Sequence, residues 1–231
     1  MSALAGRVAV VTGASRGIGL AIADACWDRG AHVVAVSRTP PTANGERRTW
    51  LRCDVSDWTS VEQLREATLA AVGVPDAVVH AAGIFRLATL DRLTADGFAE
   101  HLAINLQGAF HLAKAFLPGM RKRGSGRLIN LGSVADHRAF AENAAYSASK
   151  YGLRGLHEVL REECRGSGVL CTLLSPGPTD TPAWDPIDPD HREGFTPRAK
   201  MLRPEDVAEA VLWVATRPQH VDVDWIRLGP A

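Results

Sequence analysis

Short apolar runs alternate with longer segments of helical period along the whole chain. Arg7–Thr12 holds four apolar residues in a row, Val8-Ala9-Val10-Val11, with the continuity expected of a strand covered on both faces. His32–Val36 reads as a second strand, Thr49–Cys53 as a short third and Ala77–Ala81 as a fourth. Gly126–Leu131, Val169–Leu174 and Val221–Leu228 complete the set. Between them the spacing predicts a helix over Gly17–Arg29, with Gly30 placed to stop it. A second helix is predicted over Thr59–Val72, capped by Ser56 or Asp57. A long one over Ala95–Met120 is expected to end near Pro118-Gly119, because proline disrupts a helix interior. Ala145–Cys164 is a further long helix. The last, to Thr216, opens with Pro204 and has Glu205 and Asp206 in the first turn, where the helix dipole favours acids. Strand and helix in regular alternation predict an α/β fold: a doubly wound parallel sheet of about seven strands with helices on both faces.

A length of 231 residues suits one catalytic domain over 1–231, since such sheets run to about 200–250 residues as single units. The stretch from Ser175 to Pro197 is longer than ordinary connections, and 176–197 is expected to form a substrate lid. Lys plus Arg and Asp plus Glu each number 26, giving a formal net charge of zero. That balance argues against nucleic acid or an anionic membrane surface as partner. No apolar run reaches the roughly 18 residues of a spanning helix. Met1 to Arg7 carries no secretory signal pattern, so the cytoplasm is the expected location. Cys26, Cys53, Cys164 and Cys171 lack paired spacing, so buried thiols are expected and no metal site.

The candidate chemistry begins directly after the first strand. Thr12-Gly13-Ala14-Ser15-Arg16-Gly17-Ile18-Gly19 is a glycine turn running into a helix, whose free N–H groups and positive dipole end suit a pyrophosphate. Glycines alone also make ordinary turns; the strand before and the helix after favour a nucleotide. The second strand ends Val36-Ser37-Arg38, without the acid that binds a ribose 2′-hydroxyl. Arg16 and Arg38 are placed to flank a 2′-phosphate, so NADP(H) is favoured over NAD(H); the competing reading makes both arginines solvated surface groups.

Tyr146 and Lys150 stand at i and i+4 of a predicted helix, on one face. A free phenol titrates near 10, and a neighbouring cation lowers that value toward use as an acid–base group. Ser133, just past the fifth strand, lies at the sheet edge where open α/β folds hold ligands, placed to bond a substrate oxygen.

With these motifs in view, the chain resembles the single-domain short-chain dehydrogenase/reductase family over essentially its whole length. The resemblance implies a Rossmann-type fold with Gly13, Ser15, Arg16, Gly17, Ile18 and Gly19 on the cofactor phosphates. It implies that Asp54, with Val55 beside it, contacts the adenine. Ala82-Gly83 gives close backbone approach, and Pro176, Gly177, Thr179 and Thr181 touch the nicotinamide end. Ser133, Tyr146 and Lys150 match the family's catalytic set, with Lys150 also holding the nicotinamide ribose, and Asn105 matches the asparagine that holds a relay water. It further implies a small carbonyl or alcohol substrate and a homodimer or homotetramer. His80-Ala81 stands where the family usually has Asn-Asn, and His80 reads as a packed structural histidine. His137 and Trp184 are candidate substrate contacts. The run Arg121-Lys122-Arg123 either complements its helix dipole or grips an acidic carrier; the latter would suit a 3-oxoacyl thioester reductase. A regulator that binds NADP(H) without turnover is the remaining alternative.

Overall fold

The computed structural model describes residues 3–40 and 45–231. Met1 and Ser2, the head of the segment read for a signal, lie outside the described residues. Seven strands form one parallel sheet in the order β3-β2-β1-β4-β5-β6-β7. They are β1 Val8–Thr12, β2 His32–Ser37, β3 Arg48–Arg52, β4 Ala77–His80, β5 Gly126–Leu131, β6 Val169–Pro176 and β7 Trp225–Leu228. The Rossmann-type architecture is therefore as expected.

The helices are α1 Gly17–Asp28, α2 Trp58–Val72, α3 Ala95–Leu102, α4 Gly108–Arg123, α5 Ala144–Cys164 and α6 Pro204–Ala215. Strand side chains alternate between two cores. Ala9 and Val11 of β1, with Val33 and Ala35 of β2, pack under α1 and α6 through Ile22, Val207 and Val211. Val10, Val34 and Val36 point the other way, against Leu64, Leu112, Leu117 and Leu160 of α2, α4 and α5. Both faces are covered by helices, which is why the strands read as unbroken apolar runs. All four cysteines are buried and free. Among the described residues no helix is long and apolar enough to cross a membrane.

The chain departs from the sequence reading at three points in two elements. The predicted helix over Ala95–Met120 is α3, one π-helical turn at Ala103–Gln107, and α4. A π turn inserts one residue and rotates the face that follows it; here it turns Asn105 fully inward. Nor does the helix stop at Pro118: α4 runs three residues past Gly119's neighbour Met120 to Arg123 and ends on Gly124 in the left-handed conformation. Burial of Phe116, Leu117 and Met120 against the sheet outweighs one lost backbone bond. The last strand starts at Trp225, not Val221. Residues before it are held largely by side chains: Asp222 by Arg161 at 2.8 Å, Val223 O by Thr172 Oγ1 at 2.6 Å, and Asp224 O by His157 Nε2 at 3.1 Å beside a backbone bond from Leu173 N at 2.8 Å.

Strand order reverses at β1, whose neighbours are β2 and β4. The connections after β1 and β4 diverge there, opening a crevice at the carboxyl edge of the sheet.

Candidate active site

That crevice is a cavity of about 740 Å³, and the loops after β1, β2, β4, β5 and β6 all line it. Every residue assigned to cofactor on the sequence lies on its wall: Gly13, Ser15, Arg16, Gly17, Ile18, Gly19, Arg38, Asp54, Val55, Ala82, Gly83, Tyr146, Lys150, Pro176, Gly177, Thr179 and Thr181.

The turn after β1 is tight enough to require its glycines. Gly13 has φ +68°, and a Cβ there would stand 2.8 Å from the backbone of Ala81 and Ala82. A Cβ on Gly19 would run into the Gly13 carbonyl. Thr12, fully buried, fixes the neighbouring loop: its Oγ1 accepts from Ala81 N and Ala82 N, each at 3.2 Å. His80 lies beside it, with Nδ1 3.4 Å from Thr12 Oγ1, and burial pushes its pKa down to about 3. It is a packed neutral ring, as read. Asp54 accepts from Ser56 Oγ at 2.6 Å and Ser56 N at 3.0 Å. These bonds, followed by other causes that include the nearby Arg38 charge, hold its carboxyl below the usual range. Arg16 and Arg38 are exposed on the rim and make no ion pair among the described residues. Between them, at the end of β2, Ser37 is buried and its Oγ has no hydrogen-bond partner among the described residues.

Ser133, Tyr146 and Lys150 meet at the inner end of the cavity. Lys150 is buried; its Nζ donates to Leu131 O at 2.7 Å and sits 5.6 Å from the Tyr146 ring centroid. Burial brings its pKa down to about 8. Burial pushes the Tyr146 phenol up to about 12, against the opposing bond from Ser133. The lowering of the phenol expected from Lys150 is not what governs it: desolvation in the pocket dominates, and the group that opposes it is Ser133. Asn105 lies behind the cavity wall, not on it. Its Nδ2 donates to Ile84 O and Ser149 Oγ, each at 3.0 Å, and its Oδ1 accepts from Ile84 N at 2.9 Å. Ser149 Oγ in turn donates to Tyr146 O at 2.7 Å, so the asparagine ties α5 to the loop after β4.

The outer end is aromatic. Phe85 meets the Tyr146 ring at 4.9 Å and Trp184 at 5.0 Å, and Trp184 meets Phe195 at 6.2 Å. Trp184 is a wall residue, as its sequence position suggests. His137 is not: it turns away from the cavity, bonding Asp136 at 2.6 Å and meeting Trp225 edge-to-face at 5.4 Å. Its place in the chain, close to Ser133, suggested the pocket, but the short turn at Val134–Asp136 reverses its direction. Phe85, Phe140, Glu142, Arg192 and Phe195 line the cavity as well. Sequence reading missed them individually because loop composition carries no periodicity; only the 176–197 segment that holds Arg192 and Phe195 was legible. The Arg121 run lies at the opposite, amino edge of the sheet. Arg123 donates to Val74 O at 2.7 Å and Pro75 O at 2.8 Å, and Arg121 to Cys164 Sγ at 3.4 Å.

With this geometry in hand, similarity to known proteins can be placed on it. The family model for short chain dehydrogenases matches residues 7–192. A D-threitol dehydrogenase of Mycolicibacterium smegmatis is 35% identical over 226 residues, spanning 92% of this chain and 87% of the relative. A metagenomic short-chain oxidoreductase, solved in complex with NADP, superposes with a TM-score of 0.82 at 30% identity, covering 100% of this chain and 99% of the other. A serine dehydrogenase from Escherichia coli gives a TM-score of 0.84 at 26% identity over 96% of this chain and 97% of the other. The matched span includes the glycine turn, Ser133, Tyr146 and Lys150, and the chain belongs to the short-chain dehydrogenase family of oxidoreductases.

Proposed function

We propose that this oxidoreductase uses NADP(H) to interconvert a carbonyl and an alcohol on a small to medium metabolite, with Tyr146 as the acid–base group. The observation that carries the reading is the meeting of Ser133, Tyr146 and Lys150 in one cavity with the glycine turn. The residues present fit a dinucleotide phosphate. The backbone of the turn is bare, Ser37 Oγ is buried without a partner, and Arg16 and Arg38 are free of ion pairs among the described residues. A guanidinium pair beside an unsatisfied hydroxyl suits a 2′-phosphate. The NADP bound in the metagenomic relative agrees with that choice.

The cofactor supplies or accepts the hydride. Ser133 orients the substrate oxygen, and Tyr146 gives its proton to that oxygen in reduction and recovers it in oxidation. A phenol held near 12 is fully protonated at neutral pH, ready to serve as the acid. In oxidation the phenol must release its proton against burial, and Ser133 and the Lys150 ammonium are the groups of this chain that oppose the cost. Lys150 also holds the cofactor ribose; Asn105, whose side chain is taken up by Ile84 and Ser149 behind the wall, acts by holding α5 against the loop after β4 rather than by holding a water.

Gly177, Thr179 and Thr181 bracket the reactive end, and 176–197 acts as the lid of one catalytic domain. Arg192, paired with Glu142 across the cavity mouth, supports that assignment. Trp184 and Phe85 wall the substrate space. The names of the threitol and serine dehydrogenases favour a short hydroxylated substrate. The thioester alternative loses its one support, since Arg121 and Arg123 are engaged at the far edge of the sheet. Four buried free thiols suit a reducing cytoplasm. Phe110 and Val159, exposed on α4 and α5, support self-association through those helices.

Turnover of NADPH with a panel of short ketones and aldehydes, and of NADP with the matching alcohols and polyols, tests the reading. Wild type is expected to turn over one or more of them and Tyr146→Phe none. Equal rates in the two proteins would overturn it.

A further inference from the structure

Directly beneath Ser133 lies a fully buried carboxylate that the reaction above does not use. Asp136 ends the short turn Val134–Asp136, and its side chain folds back under the turn's first residue. Oδ2 accepts from Ser133 N at 3.1 Å and from the Ser175 hydroxyl of β6; Oδ1 accepts from His137 Nδ1 at 2.6 Å. Ser175 is fixed in turn by Trp225 Nε1 at 2.8 Å. Space for the carboxylate exists because residue 132 is glycine: a Cβ there would collide with Asp136 Oδ2 and Ser175 Oγ. A buried charge held by three donors is costly to assemble, and this one stands against the groups that handle the proton.

We propose that Asp136 is a positioning residue of the active site. It fixes Ser133 from below through the backbone and sets a buried carboxylate behind the hydroxyl that bonds the Tyr146 phenol. The inference rests on the reading of Tyr146 as the acid–base group.

The charges around it are few. Tyr146 and Lys150 face it from α5, and His137 adjoins it on the turn. Beyond Trp225, Arg154 of α5 and Arg227 of β7 lie over the indole, 4.4 Å and 5.1 Å from its centroid. His80 faces Lys150 from β4 and is kept neutral by burial. A carboxylate near a phenol disfavours the phenolate, and near an ammonium favours the ammonium. Asp136 adds to the burial that raises Tyr146, against the bond from Ser133, and opposes the burial that brings Lys150 down. The arrangement biases the site toward its acid form, the one that carbonyl reduction needs.

Only two tyrosines occur in the chain, Tyr146 and Tyr151, so titration of ring-labelled tyrosine by NMR in a Tyr151→Phe background reads Tyr146 alone. In Asp136→Asn, which keeps an acceptor for Ser133 N, its midpoint is expected to fall by about one pH unit. The alkaline limb of the alcohol-oxidation profile should move with it. Asp136→Ala should show the same shift, together with a fall in kcat of about tenfold as Ser133 loses its support. If the Asn variant does not fold, the Ala variant carries the test, with NADPH binding as the check on the fold. Unchanged Tyr146 titration in folded variants would overturn the proposal while leaving the acid–base reading intact. Turnover by Tyr146→Phe would overturn that reading first, and this proposal with it.

Discussion

On the cofactor rim, the proposed preference for NADP(H) rests most on one guanidinium. Arg38 is exposed and free of ion pairs among the described residues, so its charge is available to a phosphate, while the ribose of NADH gives it nothing comparable. A hydrogen bond to a charged group is worth about 1.5–3 kcal/mol. Arg38→Ala is therefore expected to weaken NADPH binding by roughly tenfold to a hundredfold and to leave NADH nearly unchanged, as fluorescence titration of both would read. Equal affinity for the two cofactors, untouched by the substitution, would remove the basis for NADP(H). Residue identity made this end of the site legible in advance, because Arg38 follows β2 directly and the chain offers no acid there. His137 shows the limit: nearness in sequence to Ser133 suggested the pocket, and one tight turn aimed the ring at Trp225 instead.

At the scale of elements, local signals marked most helix boundaries and missed the break at 103–107 and the run past Pro118. Asp57 caps α2, its Oδ1 accepting from Thr59 N at 3.1 Å. Asp57→Ala should cost about 1 kcal/mol, a fall of roughly 2–4 °C in thermal midpoint for a protein of this size. Differential scanning calorimetry would read it, with cofactor affinity unchanged because the cap lies outside the cavity. The starts of α1, α2 and α6 and six of the strands were legible because burial on both sheet faces leaves unbroken apolar runs and because caps are local. What escaped was set by tertiary contact. The helix passes through Pro118 because Leu117 and Met120 are buried there, and the π turn exists because Asn105 is gripped by Ile84 and Ser149. The start of β7 is delayed because Arg161, Thr172 and His157 hold the residues before it. None of those partners is close in sequence.

For the molecule as a whole, two buried histidines tie stability to pH. Burial pushes His80 down to about 3 and His157 down to about 4, from an ordinary 6.5. Below pH 6.5 the unfolded chain therefore binds protons that the folded chain refuses. Stability from these groups is complete above that pH and is lost as pH falls toward 4. Between pH 6.5 and 5 the pair accounts for about 3 kcal/mol, readable as a falling urea midpoint. His80→Gln with His157→Gln should flatten that slope; an unchanged slope would assign it to other groups. The same burial that makes this core pH-sensitive also raises the Tyr146 phenol, on which the proposed function turns. The most direct test of that function is single-turnover hydride transfer from NADPH in Tyr146→Phe, with binding measured separately. NADPH is expected still to bind, because the glycine turn and the rim arginines are untouched, while the transfer rate falls by about a thousandfold. Transfer at the wild-type rate with the cofactor fully bound would contradict it.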